Sequence, residues 1–115
     1  MKRIAVLVAI TAATMSIGAS PMSRLDSDGK KIFLDNKCSN CHSIESQGIV
    51  GKRPEGGAKP SDLSSVGLKF KAEWFEKWLM KKETLYNKKH MKKFKGTEQE
   101  LKTLALWLES LKEKT

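Results

Sequence analysis

Cysteine is almost absent from this chain, and the two that occur, Cys38 and Cys41, fall within four positions. A loop that small removes little chain entropy when closed, so a structural disulfide is a poor explanation of the pair. Acidic residues are also scarce: 13 Asp and Glu against 22 Lys and Arg leave a formal net charge of +9. That balance points to anionic partners, among which nucleic acid, an anionic membrane surface and an acidic protein all qualify. No segment alternates apolar and polar residues as a half-buried strand does, and no internal repeat is visible. Paired carboxylates, a Ser–His arrangement and a phosphate-cradling glycine loop are missing as well, so the sequence offers no hydrolytic or phosphoryl-transfer site. With 115 residues there is room for one domain and a thin core.

The N-terminus, MKRIAVLVAITAATMSIGAS, has Lys2 and Arg3 ahead of an apolar run and small residues at Gly18, Ala19 and Ser20. This is the anatomy of a secretory signal peptide, read here as residues 1–19, with 20–115 as the mature domain. The cut falls between Gly18 and Ser20, and Pro21 makes the junction after Ser20 the least favourable. The competing reading is an uncleaved membrane tether, since residues 4–17 carry no charge; that run is shorter than the roughly 20 apolar residues a spanning helix needs. Loss of Lys2 and Arg3 leaves 20 basic against 13 acidic side chains, a net charge near +7. Export would place the protein in the periplasm.

Three helices are legible. Asp26, Ser27 and Asp28 offer capping oxygens ahead of a helix over about 27–37, which runs directly into the cysteine pair. Phe70, Trp74, Phe75, Trp78 and Leu79 form one apolar stripe of a helix over about 71–82. Thr97 with Glu100 is a capping box that opens a third helix, whose buried face is Leu101, Leu104, Ala105, Leu108 and Leu111, with Trp107 toward a neighbouring face. Between the first two helices, residues 43–67 are rich in Gly, Ser, Pro and Lys and show no periodicity. An irregular stretch this long inside a small domain needs something other than secondary structure to order it. The fold class is all-α, three to four short helices with long loops, and so few helices imply a large apolar ligand at the centre.

Cys38-Ser39-Asn40-Cys41-His42 is C-x-x-C-H, the pattern of covalent haem attachment. Two thiols three apart can add to the two vinyl groups on one porphyrin edge, and the next imidazole turns under the ring to reach the iron. Other readings compete. A thioredoxin-type pair needs a strand before it and a helix after it, which these flanks do not supply. A zinc site needs four ligands, and beyond the cysteines only His42 and His90 remain. Chance spacing is the last.

From about Ser27 to Lys112 the chain resembles the class I c-type cytochromes, the monohaem bacterial periplasmic kind. The resemblance implies a small fold wrapped around one covalent haem c, held by Cys38 and Cys41 with His42 as proximal iron ligand. It places Gly29, Phe33 and Trp107 where the first and last helices cross, with Phe33, Phe94 and Trp107 beside the cofactor. A proline beyond the motif usually lends its carbonyl to the proximal imidazole. Pro60 fits that role, with Pro54 as alternative, although Ser61 stands between Pro60 and Asp62 where the family has Pro-Asp-Leu. The distal methionine usually lies in Met-Pro-x-Phe before the last helix; here the stretch reads Met91-Lys92-Lys93-Phe94. Met91 is therefore the expected distal ligand and His90 the alternative, while Met80 follows Leu79 on an amphipathic helix and reads as core.

An iron with both axial positions filled by protein moves single electrons and does no bond chemistry, so the expected function is a periplasmic electron carrier, or the small haem subunit of an oxidoreductase, and not an enzyme in itself. The alternative is a gas-binding or sensor haem protein with a weak or open distal site. Lys88, Lys89, Lys92, Lys93 and Lys95 flank Met91 and would steer an acidic redox partner, unless they are simply a solvated loop. Nucleic acid fits the charge but neither the export signal nor the motif.

Overall fold

The structure is a computed structural model that describes residues 21–52, 56–57 and 59–113. The expected signal segment and its cleavage junction lie outside the described residues, as does Pro54. Among the described residues no helix is long and apolar enough to cross a membrane.

Among the described residues the α-helices and paired strands are α1 (Pro21–Asp35), β1 (His42–Ser43), β2 (Ser61–Asp62), α2 (Ala72–Leu79) and α3 (Glu98–Ser110), with single 3₁₀ turns at Cys38–Asn40, Glu45–Gln47 and Val66–Leu68. The first helix starts earlier than its capping residues suggest. Pro21 already belongs to it. Asp26, Ser27 and Asp28 consequently lie inside the helix, and the Ser27 hydroxyl donates back to the Arg24 carbonyl at 3.2 Å. The helix closes where Lys37 takes a left-handed conformation, φ +57°.

The expected helix over 71–82 is shorter, since Met80 ends α2 and Lys81 turns left-handed at φ +59°. Lys71 provides no side-chain cap. Instead the Ala72 N–H donates to the carboxylate of Glu109, which reaches across from α3. The third helix forms as its sequence implies. The Thr97 hydroxyl accepts from the Glu100 N–H at 3.1 Å, and the Glu100 carboxylate accepts from the Thr97 N–H at 3.0 Å.

The two end helices cross at Gly29 and Trp107. A Cβ on Gly29 would overlap Trp107 Cβ and Cγ, so α1 and α3 approach this closely only because position 29 has no side chain. Phe33 meets the same indole edge-to-face, ring centres 5.7 Å apart. Trp107 is fully buried, and its Nε1 has no hydrogen-bond partner among the described residues. The core continues through Phe75 and Leu79 of α2 to Leu104, Ala105, Leu108 and Leu111.

The described residues of the irregular segment are held by small polar side chains. The Asp62 carboxylate accepts from the N–H groups of Glu45 and Ser64, both at 3.1 Å, and from the Ser64 hydroxyl at 2.6 Å. Ser64 Oγ in turn accepts from the Ser46 N–H at 3.0 Å, and buried Ser43 Oγ accepts from the Gly51 N–H at 2.8 Å. β1 and β2, two residues each, run parallel with His42 opposite Ser61 and Ser43 opposite Asp62. Strands this short leave no alternation for a sequence to display.

Candidate functional site

The left-handed Lys37 turns the chain out of α1 into a single 3₁₀ turn over Cys38–Asn40, closed by the Cys41 N–H donating to the Cys38 carbonyl at 3.1 Å. That turn, followed by β1, brings Cys38, Cys41 and His42 to the wall of one cavity of about 400 Å³. The volume is within the range of cofactor sites. Its walls are mostly apolar: Phe33 from α1, Trp74 and Trp78 from α2, Leu104 and Leu108 from α3, and Phe94 from the loop before α3. Phe70, Trp74 and Trp78 stack in series, with ring centres 3.9 Å and 5.2 Å apart and successive planes 16° from parallel. The result is a column of three overlapping rings along one side of the cavity.

His42 is half-buried, and its Nδ1 lies 2.7 Å from Ser61 Oγ. The expected partner, the carbonyl of Pro60, gives way to this hydroxyl because the parallel bridge sets Ser61 itself opposite His42. The serine hydroxyl can accept from Nδ1–H, which is the tautomer that metal binding at Nε2 would require. Burial, with the neighbouring His90 acting in the same direction, holds His42 below the ordinary imidazole value, against the opposing pull of Ser61. The neutral ring is the form that binds a metal. Gly51 supports it from behind: a Cβ there would lie 2.8 Å from the His42 carbonyl carbon and 2.7 Å from Pro60 Cβ.

Burial also pushes the Cys38 thiol up to about 11, with nearby Lys92 only partly opposing it. At neutral pH Cys38 is a thiol, unlike the activated thiolate of a redox C-x-x-C pair. Among the described residues no three His, Cys, Asp or Glu side chains gather as a metal shell. An iron between imidazoles would therefore take its remaining donors from outside the protein, as a porphyrin's four nitrogens supply them. Apolar walls, two thiols at the lining and a neutral imidazole with a hydrogen-bonded Nδ1 fit such a group.

The opposite wall comes from residues 90–94. His90, Met91, Lys92, Lys93 and Phe94 all line the cavity, yet Met91 is 94 % exposed. This segment is pinned at two points. The Phe94 N–H donates to the Leu79 carbonyl at 2.9 Å, and Lys92 Nζ to the Asn36 carbonyl at 3.4 Å. Of the residues expected beside the cofactor, Cys38, Cys41, His42, His90, Met91, Phe33 and Phe94 converge on this cavity. Trp107 does not; it stands behind the wall at the helix crossing, where its bulk fills the space left by Gly29. Pro60 is likewise replaced at the lining by Ser61.

Ser61, Gly51 and the Trp74–Trp78 face are the parts that sequence reasoning does not assign to the site. The interruption of Pro-Asp-Leu by Ser61 is the one signal that points to the first of them.

A family model described as cytochrome c matches residues 27–112, well over half of the chain. No curated protein and no solved structure matches it.

Proposed function

Because the chain belongs to the cytochrome c family, whose members carry one covalently attached haem c, we propose that it is a single-electron carrier of the periplasm, acting freely or as the small haem subunit of an oxidoreductase. The observation that carries this reading is the convergence of Cys38, Cys41 and His42 on one apolar cavity faced by the 90–94 segment. When bound, the haem supplies a reversible one-electron iron couple. Cys38 and Cys41 would hold it by thioether bonds. His42 would bind its iron through Nε2, with Nδ1–H donating to Ser61 Oγ, and the adjacent pair His90 and Met91 would supply the second protein ligand. Trp74, Trp78, Phe33 and Phe94 exclude water, which limits the reorganisation that accompanies a change of iron charge.

Lys88, Lys89, Lys92, Lys93 and Lys95 are all exposed, and Lys37 joins Lys92 and Lys93 at the cavity lining. Among the described residues the ion pair that forms lies elsewhere, between Glu98 and Lys102 on α3 at 3.5 Å, so these lysines present uncompensated charge. Such a collar suits brief docking of an acidic redox protein, for which weak and electrostatically steered contacts are needed.

Intact-mass analysis and redox titration of the matured protein test the proposal. The expected result is one added tetrapyrrole and a reversible one-electron couple; bare thiols would refute it. A gas-binding role draws support from the exposure of Met91, which would leave a weak distal side. Rapid carbon monoxide binding to the ferrous protein, with a high-spin ferric spectrum, would favour that role, whereas the approach of His90 to His42 weighs against it.

A further inference from the structure

Resting on the haem reading, the geometry points to His90, and not Met91, as the second axial ligand of the iron. His42 and His90 both line the cavity, with ring centres 6.2 Å apart and planes 14° from parallel. An imidazole nitrogen binds a first-row metal at about 2.0–2.1 Å and lies about 1.1 Å from its own ring centre, so two imidazoles on opposite sides of one metal hold their centres about 6.3 Å apart. The observed centre-to-centre spacing matches that distance.

The protons agree with this arrangement. His90 Nδ1 is hydrogen-bonded to the backbone carbonyl of Lys92. A carbonyl only accepts, so the proton is on Nδ1 and the lone pair on Nε2. His42 directs its own Nδ1 at Ser61 Oγ. Both imidazoles thus turn Nδ1 to a protein oxygen that can accept from it, the orientation that outer-shell partners impose on metal-bound histidines. His90 is also held in place: Trp78 packs edge-to-face on it with ring centres 5.5 Å apart, and Lys92, whose carbonyl takes its proton, is tethered to the end of α1. Met91, by contrast, is turned almost wholly to solvent.

Exchange of a thioether for a second imidazole lowers the reduction potential, because the soft, uncharged sulfur is what favours ferrous iron. The chain would then be a low-potential relay. The test uses the matured protein after intact mass has confirmed the covalent haem; failure at that step refutes the haem reading and says nothing of the ligand. With haem in place, the ferric protein is expected to be low-spin and to lack the weak red charge-transfer band that a methionine sulfur gives ferric haem. Met91→Ala should leave the optical spectrum and the potential unchanged. His90→Ala should abolish the wild-type low-spin spectrum, giving either a high-spin form or a newly visible sulfur band as Met91 moves in. A sulfur band in the wild type that disappears in Met91→Ala overturns the assignment, and so does a wild-type ferric protein that is high-spin.

Discussion

Ser61 has the clearest role among the single residues outside the attachment motif. It is the partner of the imidazole that the motif delivers, through a contact 2.7 Å long. Ser61→Ala removes an acceptor from Nδ1–H and weakens His42 as a donor, so the reduction potential should rise while the covalent haem content stays the same. Spectroelectrochemical titration reads the first and intact mass the second. Cys38, Cys41 and His42 are legible in the sequence because their chemistry depends on spacing alone. Pro60 is singled out by resemblance, and the structure moves that role one residue along. A two-residue bridge decides which group meets the imidazole, and such a bridge leaves no periodic trace. The distal side is harder to read because His90 and Met91 are neighbours and both carry a donor atom that iron accepts. Only the direction of each side chain separates them, and that depends on Lys92 and Trp78.

At the level of elements, the last helix is the most legible. Its capping box is a local four-residue device, and both of its hydrogen bonds form. Glu100 gives this device a pH dependence of definite sign. Its hydrogen bond with the Thr97 backbone is the main cause that holds the carboxyl below its ordinary value of 4.5. A depressed carboxylate contributes stability that is fully present above the ordinary value and is lost as the pH falls through the lower value of the folded state. Glu100→Gln should therefore flatten the loss of stability below pH 4.5, as followed by thermal melts. The ends of the other helices escape sequence reasoning where the cause is tertiary. Lys81 turns left-handed within a lysine-rich stretch that gives no warning, and α2 takes its N-terminal cap from a residue of α3. The helix crossing sets a further expectation. Gly29→Ala drives a methyl into buried Trp107. The cost of overpacking, about 1–3 kcal/mol, should outweigh the gain in helix propensity of about 1 kcal/mol and lower the denaturation midpoint.

Across the whole molecule, the sequence conveys the helices, the core and the need for a central apolar group; it does not convey how residues 43–67 are ordered. Ser43, Asp62 and Ser64 hold that segment with hydrogen bonds between loops, and their spacing resembles ordinary loop composition. Charge acts at this scale as well. With exposed lysines around the cavity mouth, the rate of electron transfer to an acidic partner should fall steeply as ionic strength rises, because screening shortens the reach of the collar. Stopped-flow measurement over a salt series checks this, and a rate insensitive to salt would reduce the lysines to a solubility role. Glu109 has a consequence of a different kind. Its carboxylate holds the first N–H of α2, while its backbone carbonyl rests where a side chain on Gly67 would have to sit. Melting the end of α3 therefore releases the start of α2 in the same event. Deuterium uptake at the first amides of α2 should rise together with that at the end of α3, and Glu109→Ala should raise it at the start of α2 while the core amides of both helices stay protected.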